Sequence, residues 1–415
     1  MSEGGKSKKS LLDKLKPGSE LRDKRDVVLH FSPSWFGLAM GTGILAFDMG
    51  FTPLRFPGQQ DLGWALWWVT VVLFVAASVL FVARWVLYPK DARDIFEHPV
   101  HSMFLGCIPI ALGTIVDGTL LFIQPRLGYA GVIIAIVLWW IDFVMAVAAV
   151  LSIPLCMIYL QSHSMETVTC IWLLGVVPGV AVSASGSLLA PVIAHSGHAQ
   201  VVEYLSLALI GAALPLCLTI LVLFFNRIVF HHLPAKEVIV SCFLPLSPLG
   251  AGALAISQLG AAAKNVFPSG PMREYVRMAG GLGIFLGYFL WGFGFWWFAF
   301  ACFVVARAMR EGLPFNLGWW SFAFPFGAFT AALLNLGILS GWVPAQALGT
   351  GFTWALFAAW LVLLYRTAKR VWTGQLFNGP LKDAALLPPR EEEEGEESER
   401  PSEEMRIEMA ELDRS

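Results

Sequence analysis

The sequence predicts an all-α protein that crosses a membrane many times, and three observations carry that expectation. Of the 415 residues, 57% are hydrophobic and only 14% charged, whereas soluble domains carry nearer a quarter charged residues. Mean hydropathy is +0.66. The charges are also clustered: Leu313 to Tyr365 contains no Asp, Glu, Lys or Arg, and neither does Thr167 to Val202. Each run is longer than the roughly 20 residues a bilayer-spanning helix needs. A soluble fold would have to cover itself with bare hydrocarbon, so soluble catalysis and nucleic-acid binding are excluded.

Uncharged apolar runs, broken by Gly, Pro and polar clusters, mark ten spans. They lie near Pro33–Phe51, Trp64–Tyr88, His101–Ile123, Gly128–Ile153, Thr167–Val192, Val201–Arg227, Val238–Ala261, Val276–Ala306, Gly318–Ile338 and Trp342–Tyr365. This divides the chain into a basic N-terminal segment (residues 1–30), a ten-helix domain (31–370) and an acidic tail (371–415). The basic segment contains no long apolar stretch of the kind a cleavable signal requires. From Asp383 to Ser415 there are 13 acidic residues, a pattern that reads as a solvated, disordered tail.

Basic residues set the orientation. With the N-terminus inside, 23 of the 28 Lys and Arg fall in cytoplasmic segments and 5 outside. Both termini are therefore expected in the cytoplasm. The six cysteines all lie in or beside apolar runs, which suits small packing residues rather than a disulfide framework.

The odd-numbered spans differ from the even ones. The first carries Gly37, Gly41 and Gly43, the third Gly106, Pro109 and Gly113, and the fifth Gly175, Pro178, Gly179 and Gly186. The seventh carries Pro245, Pro248, Gly250 and Gly252, and the ninth Pro325 and Gly327. Proline inside a span removes a helical hydrogen bond and bends the helix. Such backbone is tolerated at membrane depth only against protein or a water-filled cavity. In the ninth span Phe322, Phe326, Phe329, Leu333 and Leu336 form a bulky stripe, while another face carries Phe324, Gly327, Ala328, Ala331 and Asn335. Two readings fit these small-residue faces. One is close helix packing; the other is a narrow conduit walled by the five odd helices.

At this point PSWFGLAMGTGI, HPVHSMFLGCIP, VLWWID, FLPLSPLG and FNLGWWSFAFPFG carry a resemblance. From about His30 to Tyr365 the sequence resembles the tellurite-resistance/dicarboxylate transporter family, which includes fungal sulfite efflux pumps, yeast malate permeases and plant slow anion channels. The motifs match the sulfite branch better than the malate branch. The resemblance implies five tandem helical hairpins around a central pore of odd helices, and small inorganic or organic anions as cargo. It implies sulfite or hydrogensulfite efflux across the plasma membrane, with a malate-type dicarboxylate carrier or a slow-type anion channel as rivals. It further implies a homo-oligomer, a trimer in bacterial and plant relatives, and a Phe before the proline of the ninth helix that plugs the pore, here Phe324. The sequence departs from the family at Ile110-Ala111, where Met-Gly is usual, and at Ala251, where Gln is usual.

The expected anion path is Gly41, Thr42, Pro109, Gly113, Thr114, Pro178, Gly179, Ser183, Pro248, Gly250, Pro325 and Gly327. With no Lys or Arg deep in a span, exposed helix N-termini and the hydroxyls of Thr42, Thr114, Ser183, Ser185 and Ser247 are the available donors. The opposing reading bonds each hydroxyl to its own helix. Asp48, Asp117 and Asp142 are acids within spans. They can take protons and link flux to pH, or lie in interfacial water, or, for Asp142 on an outer helix, bond between helices. All eight histidines fall at span ends or in loops, so no haem ligation at depth is expected. Neither an HExxH nor a Walker motif is present. The reading is a transporter rather than an enzyme, with no cofactor or metal, lodged in a lipid bilayer.

Overall fold

A computed structural model describes residues 25–267 and 273–377. Most of the basic N-terminal segment and nearly all of the acidic tail lie outside these residues. Among the described residues every element is helical, with no strand. A helix lies at each of the ten predicted places: α1 Phe36–Phe51, α2 Gln59–Leu87, α3 Cys107–Gly118, α4 Tyr129–Tyr159, α5 Val177–Leu189, α6 Ser196–His231, α7 Leu246–Val266, α8 Arg273–Arg310, α9 Ala323–Ser340 and α10 Val343–Thr373.

Eight of these segments are long and apolar enough to cross a bilayer, counting the short helical turns joined to α3, α7 and α9. The other two, α1 with 16 residues and α5 with 13, fall short, so the count of ten spans is not reproduced by length. The even helices run longer than the apolar pattern indicated, up to 38 residues in α8. At 1.5 Å per residue, such a helix projects beyond a hydrocarbon core about 30 Å thick.

The odd helices enter differently from the even ones. A 3₁₀ turn precedes each of the five: Pro33–Trp35, Met103–Gly106, Cys170–Gly175, Ile239–Phe243 and Leu317–Ser321. The α-helix proper starts only afterwards, which is why α1 and α5 are short. The prolines also fall elsewhere than expected. Pro109, Pro178, Pro248 and Pro325 each occupy the second or third residue of α3, α5, α7 and α9, not mid-helix. In a first turn the missing N–H has no helical acceptor to serve, and the fixed φ suits the helix start. The bend is therefore at the 3₁₀-to-α junction.

Packing closes the odd helices into a ring. α1 touches α3, α3 touches α5, α5 touches α7, α7 touches α9, and α9 returns to α1. The five 3₁₀ lead-in turns make a second ring in the same order, so all five inner helices run parallel. Each even helix packs on its own hairpin partner and on the next inner helix. Burial follows this division. The spans containing α3, α7 and α9 are 78%, 94% and 83% buried, whereas those of α2, α4, α6, α8 and α10 are 22–39% buried. The outer faces carry Val72, Val75, Val79 and Val82 on α2, Val137, Ile141 and Val144 on α4, and Phe285 and Phe289 on α8, all exposed. Such an apolar belt is stable against lipid and not against water. The protein is an all-α, polytopic membrane protein.

Candidate functional site

At the centre of the ring is a small void to which every inner helix contributes. Its walls are Ile44 of α1, Ile110, Gly113, Thr114 and Asp117 of α3, Ala181, Ala184 and Ser185 of α5, Ala251 and Leu254 of α7, and Phe324 and Ala328 of α9. The void measures about 20 Å³, room for about one water. Phe324 and the branched side chains of Ile44, Ile110 and Leu254 hold the void to this size.

Phe324 is set apart from its neighbours by helical phase. Phe322 and Phe326 stack on each other at 5.3 Å, Phe322 meets Phe243 at 4.8 Å, and Phe326 meets Phe298 and Phe352 at 5.4 Å. Phe329 stacks on Trp291 at 4.8 Å. The bulky stripe of α9 therefore faces the outer helices α8 and α10. Phe324, on another face, points to the axis.

Of the residues expected along the anion path, Gly113, Thr114 and Phe324 line the void, as does the acid Asp117. Of the other glycines, Gly41, Gly250 and Gly327 serve as contacts in the ring and Gly179 as a contact with the outer helix α6. A methyl group on Gly41 would stand 2.7 Å from Ala323 Cβ, on Gly179 2.7 Å from Ala213 Cβ, on Gly250 2.5 Å from the Phe329 amide nitrogen, and on Gly327 2.6 Å from Ile44. Pro109, Pro178, Pro248 and Pro325 sit in the helix first turns, away from the void's walls.

Thr42 and Thr114 bond within their own helices, whereas Ser183 bonds to a neighbouring one. Thr42 donates to the Leu38 carbonyl and accepts from Trp360 Nε1 of α10, so it faces outward. Thr114 donates to Ala111, and Ser183 donates to the Ser206 carbonyl of α6. Ser185 lies 3.4–3.5 Å from the carbonyls of Ala181 and Gly113. Ser247 is buried without a partner.

Two of the three acids, Asp48 and Asp142, lie away from interfacial water, whereas Asp117 is half-buried. Asp48 and Asp142 are fully buried and both oxygens of each lack a hydrogen-bond partner, while Asp117 has one such oxygen. Sequence reasoning missed Glu203 of α6, buried with Oε2 unpartnered. It also missed a comparison among arginines. Near the C-terminal ends of α2 and α10, Arg84 and Arg370 donate to the carbonyls of Phe31 and Phe315, just ahead of the lead-in turns of α1 and α9. Arg227, near the corresponding end of α6, is buried with Nε and Nη1 unpartnered. Among the described residues no group of three or more His, Cys, Asp or Glu side chains converges to hold a metal ion.

The sequence matches a known family over nearly the whole membrane domain. Residues 30–368 match the voltage-dependent anion channel family. The chain belongs to that family. Among the relatives, a sulfite efflux pump of Arthroderma otae is 33% identical over 361 residues, covering 86% of this chain and 95% of that protein. A sulfite efflux pump of Trichophyton rubrum is 34% identical with the same coverage. A malic acid transport protein of Schizosaccharomyces pombe is 23% identical over 373 residues, covering 87% of this chain and 82% of that protein. Members of this family are channels and transporters. Of the residues at which the sequence departs from the motifs it resembles, Ile110 and Ala251 line the void and Ala111 does not.

Proposed function

We propose that this protein exports sulfite or hydrogensulfite across the plasma membrane, with both termini in the cytoplasm. The observation that carries the reading is identity of 33–34% to sulfite efflux pumps over 95% of their length. In this reading the conduit is the axis of the five-helix ring, and Phe324 closes it. The parallel inner helices place five positive dipole ends at the lead-in turns, which the basic asymmetry assigns to the cytoplasmic side. An anion is thus drawn in electrostatically without a fixed cation on the path, a condition that favours quick release. Helix dipoles are weak and screened near water, so selection falls to the narrow, dehydrating waist. Small liners such as Ala181, Ala184 and Ala251 suit a small oxyanion better than a four-carbon dicarboxylate. The chain works as one protomer of a homo-oligomer, each protomer holding its own conduit.

Purified protein in liposomes tests this directly. Sulfite loaded inside should leave faster than from protein-free liposomes, and faster than malate. Malate efflux without sulfite efflux moves the assignment to the dicarboxylate branch.

A further inference from the structure

The acid Asp142 lies on α4, outside the inner ring, yet the packing turns it toward the axis. α4 buries the stripe Val132, Ala135, Trp139, Asp142 and Ala146, spaced by three and four residues as one helical face requires. Trp139 Nε1 donates to the Val182 carbonyl of α5 at 3.1 Å, and Gly186 leaves room for the indole at 3.0 Å. That anchor sets Asp142, one turn on, against Gly113 of α3, where a methyl group would stand 3.1 Å from Oδ2 and 3.5 Å from Ser185 Oγ. Gly113, Ser185 and Asp117 all line the central void. Asp117 lies one turn beyond Gly113 on the same face of α3, which brings its carboxyl within electrostatic reach of Asp142.

Among the described residues the surroundings offer these carboxyls no counter-charge. α5 carries no titratable side chain from Val177 to Leu189. α3 brings only Cys107, about three turns away, and α4 only Tyr129, Cys156 and Tyr159 at its ends. α2 has Asp61 and Arg84 near its two ends, α1 has the buried Asp48, and the 3₁₀ turn beside the far end of α4 has Cys170. On α6, His198 accepts from Trp140 Nε1 on a different face of α4, and Glu203 is buried beyond α5. Arg126 follows α3 but donates to Phe122 and stacks over Trp64. Two unpaired ionised carboxylates cannot persist in such a site.

We propose that Asp117 and Asp142 form a proton-binding pair in the wall of the conduit, and that anions pass while the pair is protonated. This rests on the conduit reading above. Losing the proton leaves negative charge within reach of the passing anion, so flux falls as pH rises. Neutral Asp142→Asn takes away one of the two carboxyls and weakens that dependence.

The test compares wild type with Asp142→Asn in liposomes, taking the ratio of their sulfite fluxes at each pH, in which sulfite's own ionisation cancels. The ratio should be near unity in mild acid and rise several-fold in mild alkali; a constant ratio overturns the proposal. Infrared difference spectra between acid and alkali give a second readout that needs no cargo. Wild type should show a protonated carboxyl band that Asp142→Asn and Asp117→Asn each diminish and Asp48→Asn leaves in place. Absence of that pattern overturns the proton pair whatever anion is carried. A missing sulfite flux with the pattern present instead removes the sulfite assignment and keeps the pair. Should Asp142→Asn fail to fold, Asp117→Asn carries the same two expectations.

Discussion

Replacing Phe324 by alanine is expected to raise anion flux several-fold while the melting temperature stays near that of wild type. Phe324 is buried, and its side chain borders the axial void. Among the described residues it makes no ring–ring contact, unlike Phe322, Phe326 and Phe329. An apolar ring across a narrow axis excludes water and makes the passage of a charge costly. Taking it away widens the waist and forfeits little packing, because one side of the ring already meets a void. Phe326 is the control. It is wedged among Phe298, Phe322 and Phe352, and its truncation should cost about 3–5 kcal/mol by analogy with buried Phe in soluble proteins. Flux and melting measured on both variants separate the roles. Well-folded Phe324→Ala with unchanged or lower flux sinks the gate.

Substituting Gly250 by valine should abolish the folded protein, and alanine should already weaken it. At this point α7 and α9 meet backbone to backbone. A methyl group would stand 2.5 Å from the Phe329 nitrogen, 2.6 Å from the Ala328 carbonyl carbon and 2.7 Å from its oxygen. Backbone inside a helix cannot step aside as a flexible side chain does, so α9 would have to move away from α7. That movement would strain the bridge in which Gln258 donates to Asn335 Oδ1 and Asn335 donates to Ser257, at 2.6 and 2.8 Å. It would also disturb the Trp291–Phe329 stack. Gly292 on α8 has open space around it, and Gly292→Ala should be neutral or stabilise by up to about 1 kcal/mol. Size-exclusion profiles and melting curves of the two variants decide the matter. A normally folded Gly250→Val is incompatible with the closed ring.

The division into inner and outer helices was legible because it rests on composition. A helix packed on all sides by others needs Gly and Ala for close approach, and a lipid-facing one does not. Which small residue meets which neighbour was not legible. Gly41, Gly179, Gly250 and Gly327 carry the same signal as Gly113, yet only Gly113 of these five borders the void. Helical phase gives a face and not the partner across it. Ile44 and Leu254 gave no signal, since branched apolar liners look like any other membrane side chain. The prolines pointed to a break in each inner helix but not to its position, because a first-turn proline and a mid-helix proline read alike until the 3₁₀ lead-in is seen. Asp142 was placed on an outer helix correctly, and its aim at the axis depended on a glycine of another helix.

The central claim is that anions travel along the axis of the inner ring. A single cysteine in its wall tests it most directly. Ala184 is buried and lines the void between α3 and α7. In Phe324→Ala protein with the exposed Cys302 replaced, Ala184→Cys should be modified by a charged methanethiosulfonate reagent. Sulfite flux should then drop to that of protein-free liposomes. Glu97→Cys in the connection between α2 and α3, where the native side chain is exposed, should carry the same label with flux retained. Complete labelling at position 184 with undiminished flux would place the path elsewhere in the molecule.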